Sequence, residues 1–178
     1  DLPVLELQPD HPRPAVLTTN GSGVAVALST ETGSRLEVLC TECGVTMMRG
    51  ALAVWAVLLG KHSGQDEVVV GIPYANRDHA AIQEVVGYFV NTLAVRLRVA
   101  GEGLDFRKMV VDTGRAVQVA TEHSVLPFMQ VVEAVSPERD ASRTPIFQTM
   151  LTWEEARGWE GAGEGIKALD VVLTKREE

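Results

Sequence analysis

Basic residues are in the minority in this chain of 178 residues, with 16 Lys and Arg against 24 Asp and Glu and a formal charge of −8. Its cations are scattered, which argues against phosphate-backbone binding as a main role and makes nucleic acid a poor partner. Long hydrophobic runs are missing too. The apolar stretch ALAVWAVLLG at residues 51–60 is about half the ~20 residues a membrane-spanning helix needs, so neither a transmembrane segment nor a membrane partner is expected. The opening Asp1-Leu2-Pro3 offers neither a basic leader nor an apolar signal core, and no initiator Met. A cytoplasmic protein read from within a longer polypeptide is therefore expected.

Cysteine and histidine are scarce. Cys40 and Cys43 form a single CxxC. A redox pair sits at a helix start, where the dipole lowers a thiol pKa, and zinc needs about four ligands. Here the pair falls at a helix end just before Gly44, so small buried side chains and no metal site are expected. His11, His62, His79 and His123 are isolated from one another. Spacing alone supports neither a Ser/His/Asp nor a Cys/His set.

Hydrophobic content is ample at 46%, enough for one compact domain or one large subdomain of a bigger unit. The X-Pro pairs at Pro9, Pro12 and Pro14 mark residues 1–23 as an extended lead-in or linker, with the body of the fold at 24–178. Residues 24–28 (VAVAL) suit a strand, and Ser29 caps a helix in which Leu36, Leu39, Cys40 and Cys43 share one face before Gly44 ends it. Thr46 can cap a second helix that is apolar on every side and must be buried, with a break over residues 60–64. The β-branched run EVVVGIP at 67–73 reads as a strand covered on both faces. LAVRLRV at 93–99 alternates, so one face should be packed. Asp105 caps a third helix with Phe106, Met109, Val110, Thr113, Val117 and Ala120 on one face. A short helix over 128–135, a strand over 146–153, a Gly-rich loop at 158–165 and a last strand near 169–174 complete the pass. No internal repeat is present, and the order describes an α/β (α+β) fold, a mixed β-sheet packed with helices.

Polar residues punctuate this pattern at four places. In GIPYANR at 71–77, Arg77 reads either as a surface ion-pair donor or as part of a site. In GYFVNT at 87–92, Asn91 sits in an apolar segment, where its amide must either fix a loop or face a polar ligand. His123 in TEHSVLPF at 121–128 can cap local carbonyls, a commoner role than catalysis without a positioned partner. In RDASRTP at 139–145, Asp140 can bond backbone amides or pair with Arg143, while Pro145 stiffens the approach to a strand.

Taken together these blocks resemble the C-terminal half of a peptide-synthetase condensation domain, whose members carry GxPxxxR, (I/V)GxFVNT, HQDxPFE and RDxSRNPL in that order. The matching residues run from Gly71 to Arg77, from Val86 to Thr92, from His123 to Met129 and from Arg139 to Ile146. The third block keeps His123, Pro127 and Phe128 but has Ser124, Val125 and Met129 where the family has Gln, Asp and Glu.

The resemblance implies a chloramphenicol-acetyltransferase-like lobe that pairs with an N-terminal lobe bearing the HHxxxDG motif, a motif this chain lacks. The channel between lobes would then serve amide-bond formation between thioesters on carrier-protein domains. No cofactor is expected to bind directly, and the carriers' phosphopantetheine arms would bring the substrates. By the same resemblance Asn91, supported by Tyr88 and Thr92, would face the channel near the amine, with Arg77 ordering the loop beside it. His123, Pro127, Phe128, Arg139, Asp140 and Arg143 would be structural, no residue here catalytic, and the isolated lobe silent and prone to self-association. A non-catalytic docking or recruitment module of the same fold, or a lobe of a related acyltransferase, are the alternatives.

Overall fold

The computed structural model describes residues 2–135, residues 140–154 and the backbone of Leu173–Lys175. Its centre is an antiparallel ladder of β2 (Glu67–Tyr74) and β3 (Asn91–Arg98), in register from Glu67 opposite Arg98 to Tyr74 opposite Asn91. Val68 to Ile72 are all buried, as the unbroken β-branched run requires of a strand covered on both faces. On one face Val68, Val70, Ile72, Leu93, Val95 and Leu97 form the main core with residues of two helices, α2 (Met47–Ser63) and α3 (Phe106–Glu122). On the other, Val69 meets Ile146 and Phe147, with Phe128, Val131 and Val132 of α4 (Phe128–Val135) against them. The alternation in β3 holds, since Leu93, Val95 and Leu97 are buried while Arg96 and Arg98 are exposed.

Local chemistry sets the helix ends. Helix α1 (Thr30–Glu42) starts at Ser29, whose hydroxyl accepts from the Thr32 N–H, and stops at a left-handed Gly44. There the Val45 N–H reaches Cys40 O and the Gly44 N–H reaches Thr41 O, which satisfies the last carbonyls. Asp105 caps α3 by accepting from the Lys108 N–H at 2.7 Å. Cys40 is buried against Gly50 of α2, and burial pushes its thiol up, opposite to an activated redox thiol.

Several sequence expectations are corrected. The first strand, β1 (Ser22–Val24), is earlier and shorter than residues 24–28; it pairs antiparallel with β4 (Leu173–Lys175), while Val26 and Leu28 are exposed. Thr46 occupies the N-cap of α2 without a side-chain bond. The break expected over residues 60–64 falls at its far end, where the left-handed Gly64 ends the helix, while Gly60 lies inside it and packs against Val99. Nor is α2 buried all round, since Val54 and Leu58 are exposed. The strand expected over 146–153 reduces to one parallel bridge between Gly71 and Met150, which makes the sheet mixed. Its cause lies in the backbone: Ile146 sits at φ 67, and that left-handed turn keeps the chain off β2 until Thr149. The Gly-rich loop at 158–165 and the first part of the last expected strand lie outside the described residues.

The lead-in is held on the body although it has no regular structure from residue 2 up to β1. Leu5 enters the main core, and its N–H donates to Gln148 Oε1 at 2.8 Å. Gln65 accepts from the Glu6 N–H and donates to Val4 O, gripping both neighbours of Leu5. Among the described residues no single helix is long and apolar enough to cross a membrane.

Candidate functional site

Three of the four polar blocks converge at the end of the β2–β3 ladder where Tyr74 faces Asn91. Just beyond β2, Asn76 takes a left-handed turn at φ 52, a conformation asparagine tolerates, and delivers Arg77 into the following loop. The Arg77 guanidinium donates through Nη1 to Ile82 O at 2.7 Å, Gln83 O at 3.3 Å and Val85 O at 2.8 Å, and through Nη2 to Gly87 O at 3.1 Å. Its carbon also lies 4.5 Å from the centre of the Phe89 ring. A rigid five-donor fork suits this task, since one side chain meets carbonyls arranged around a turn. Arg77 is thus the hub of residues 78–89, and among the described residues its hydrogen bonds go to backbone carbonyls.

Beside the hub, the Tyr74 hydroxyl donates to Asp78 Oδ2 at 2.6 Å. This bond to an anionic acceptor raises the phenol's pKa, so Tyr74 stays protonated and keeps the strand end tied to the loop. A short 3-10 turn at Ala80–Ile82 follows, capped by His79 Nδ1, which accepts from the Ala81 N–H. Val86 and Tyr88 project from the loop, at 100% and 89% exposure.

Asn91, the first residue of β3, joins the ladder to the turn between α3 and α4. Its Nδ2 donates to Ser124 O at 2.8 Å and Leu126 O at 2.9 Å, while Oδ1 accepts from the Thr92 N–H at 2.8 Å and the Phe128 N–H at 3.2 Å. Two donors and two lone pairs are the whole capacity of an amide, so this one offers a ligand no free donor or acceptor. Of the two roles open to a half-buried Asn, the geometry realises loop fixing. Thr92 is half-buried beside it. His123 caps α3 through its backbone N–H, which donates to Thr121 O, while its carbonyl accepts from the Leu126 N–H and the residue is exposed. Ser124 is buried, whereas Val125 at 88% and Met129 at 63% are exposed on the rim of this turn.

The fourth block lies apart, against the lead-in. Asp140 Oδ1 accepts from both the N–H and the hydroxyl of Ser142, at 2.8 and 2.6 Å, and these bonds hold its carboxyl below the usual range. Its other oxygen lies 3.4 Å from Arg143 Nε, whose Nη1 donates to Glu6 Oε1 at 2.8 Å and lowers the Glu6 pKa. The Leu17 N–H donates to Ala141 O. Asp140 therefore does both things the sequence allowed, and Arg139 lies outside the described residues. Pro127 directly precedes α4 and Phe128 begins it, the Phe128 ring meeting Phe147 at 5.3 Å between centroids.

Two clefts adjoin these elements. One of about 340 Å3 lies beside the end of β2, between α2 and residues 151–153, and the sequence reading missed it. Its only sequence signal was the pair Met47-Met48 opening an apolar helix. A second, of about 390 Å3, lies between α1 and the start of α3 with the Glu42–Arg107 ion pair in its wall, and no motif residue lines it. Tyr74 and Asp78 were also missed; their i, i+4 spacing around Arg77 was the available hint. Among the described residues no group of three or more His, Cys, Asp or Glu is placed to hold a metal ion.

Comparison with known proteins bears directly on this scaffold. The family model for the condensation domain matches residues 1–168. Tyrocidine synthase 3 of Brevibacillus parabrevis is 40% identical over 167 residues, which cover 94% of this chain and 3% of that protein. A four-domain nonribosomal peptide synthetase bound to AMP and glycine matches with a TM-score of 0.79 at 32% identity, over 84% of this chain and 11% of that one. The X-domain from teicoplanin biosynthesis also reaches 0.79, at 25% identity, over 100% of this chain and 38% of that one. The chain thus spans only a small part of the proteins it matches. With the family model covering nearly its whole length and the same α/β, chloramphenicol-acetyltransferase-like fold in its solved neighbours, the chain belongs to the condensation-domain family, with nonribosomal peptide synthetases among its relatives.

Proposed function

We propose that this chain is the C-terminal lobe of a nonribosomal peptide synthetase condensation domain, with residues 24–178 as the lobe and 1–23 as its lead-in. It shapes one wall of a channel in which an amine attacks a thioester, both carried on the phosphopantetheine arms of carrier-protein domains. The N-terminal lobe is its partner and supplies the base, since HHxxxDG does not occur in this chain. The reading rests chiefly on one observation: the motif side chains at the ladder end, Arg77 and Asn91, spend their hydrogen bonds on backbone carbonyls and amides of the chain itself. It is supported by coverage, because the chain matches only 38% of the X-domain chain while all of its own length is used.

In this reading Arg77 and Asn91 act by positioning the loops that carry Tyr88, Thr92 and the turn at His123, and contribute geometry, not proton transfer. The exposed apolar side chains of Val86, Tyr88 and Val125 belong to a face buried by the other lobe, and they drive self-association when the lobe is alone. Two free cysteines suit the reducing cytoplasm. The test is reconstitution. The purified chain, given donor and acceptor thioesters on their carriers, forms no amide by mass spectrometry, and activity appears only with the complementary lobe. Amide formation by the chain alone overturns the proposal.

A further inference from the structure

We propose that the cleft beside the end of β2 receives the apolar side chain or acyl chain of a thioester-bound substrate, so that its walls determine specificity. This rests on the reading of the chain as one wall of a condensation channel. At about 340 Å3 the cleft falls in the range of small-molecule sites, ~300–1,000 Å3. Met47 and Met48 come from the first turn of α2, Ile72 and Pro73 from the end of β2, and Leu151 and Trp153 from the segment after the bridge. The remaining lining residue is Thr46. Among the described residues no lining side chain is ionisable, in a chain that is 22% charged, and none of them offers a charged substituent a partner.

Position supports the assignment as much as chemistry does. Pro73 and Tyr74 are cross-strand neighbours of Thr92 and Asn91, so the cleft lies at the ladder end where the motif residues gather. The walls are pre-formed. The Gly71 N–H donates to Thr149 O and the Leu151 N–H to Gly71 O, both at 2.9 Å, and Trp55 Nε1 donates to Thr149 Oγ1 at 3.1 Å. These bonds tie the segment carrying Leu151 and Trp153 to both β2 and α2. Flexible methionines on one side adapt to differently shaped substituents, while Trp153 and Pro73 set the size limit.

The test uses the full condensation domain containing this chain, with carrier-bound alanyl, leucyl, phenylalanyl and aspartyl thioesters, each as donor and then as acceptor. In one of the two positions the wild type favours leucyl over aspartyl by tenfold or more. Trp153→Ala raises the phenylalanyl-to-alanyl ratio of kcat/KM and Met48→Phe lowers it, each by roughly tenfold, the scale set by a few methylenes in an apolar pocket. Misfolding would depress all substrates together and cannot move the ratio in opposite directions. As a second readout, the Met48 methyl NMR signal of the wild-type domain shifts on adding a phenylalanyl-pantetheine amide and not an aspartyl one. An active wild type whose ratios stay put in both variants and both positions, or an unmoved Met48 signal, overturns the pocket while the condensation reading stands. A full domain with an intact HHxxxDG that joins none of these thioesters overturns both.

Discussion

Replacing Gly71 by Ala tests how tightly the segment behind the ladder is fitted to it. A Cβ at this position falls 2.5 Å from Phe147 Cε2 and 2.6 Å from its Cζ, where contacting carbons sit ~3.5–4.0 Å apart. The obstacle is no flexible tip, since Phe147 is 8% exposed and stacked at a tilt against Phe128. Alanine in a strand gains roughly 0.5 kcal/mol over glycine in backbone entropy. Overpacking costs about 1–3 kcal/mol, and pulling the two rings apart adds about 0.5–1.5 kcal/mol. The expected net loss is about 1–4 kcal/mol, read from urea unfolding followed by tryptophan fluorescence at unchanged m-value. Phe147→Leu should partly relieve the clash, so the double variant is less destabilised than the sum of the singles by at least about 1 kcal/mol. An alanine variant within about 0.5 kcal/mol of wild type, or strict additivity, refutes this account of the packing.

Asn91→Ala removes four half-buried hydrogen bonds worth about 0.5–1.5 kcal/mol each; a stability loss of about 2–4 kcal/mol is expected, with hydrogen exchange at the Phe128 amide accelerated. Asn91→Asp keeps the two acceptor bonds but sets a carboxylate beside the carbonyls of Ser124 and Leu126, so its stability should rise as the pH is lowered and the group protonates, measured by thermal unfolding between pH 4 and 7. Arg77→Lys retains the charge but not the fork; limited proteolysis should then cut within residues 78–89 several-fold faster while the β2–β3 amides keep their protection. Glu6 and Asp140 both titrate lower in the folded chain than unfolded, so their stabilisation is complete above about pH 4.5 and fades as pH falls through the depressed folded values. Exchange protection at the Leu17 and Leu5 amides should therefore drop in acid, and Glu6→Gln with Asp140→Asn should flatten that dependence.

The elements legible in the sequence were those whose periodicity and caps agree. Helix α3 shows its apolar face and its Asp105 cap together, and β2 its unbroken β-branched run. Misreadings arose where local pattern and long-range packing disagree. IFQTMLTW has the composition of a strand, yet the left-handed turn at Ile146 and the insertion of Phe147 over Gly71 leave only one bridge to β2. The break read over residues 60–64 comes only at Gly64, because Gly60 is a contact point for Val99 inside a continuing helix. The grip of Gln65 and Gln148 on the lead-in joins residues 59 and 143 positions apart, and no local pattern carries such a pairing. The cleft at the end of β2 was illegible for the same reason, since its walls come from three separate segments.

A polar residue that faces a substrate and one that faces the protein's own backbone look identical in a sequence; only the count of satisfied bonds separates them. Arg77 meets four carbonyls and Asn91 two carbonyls and two amides, backbone groups that every residue type but proline possesses in full. Such hubs therefore tolerate change in the side chains around them while their own identity stays demanding, because few other side chains present the same fork or the same paired donor and acceptor. The third block shows the consequence. Ser124, Val125 and Met129 differ from the family pattern, and the turn is held through the carbonyls of Ser124 and Leu126 and the amide of Phe128, groups that do not depend on those side chains. A block can thus depart from its pattern in outward-facing residues such as Val125 and Met129, where a partner surface would be read, without losing the conformation that presents them.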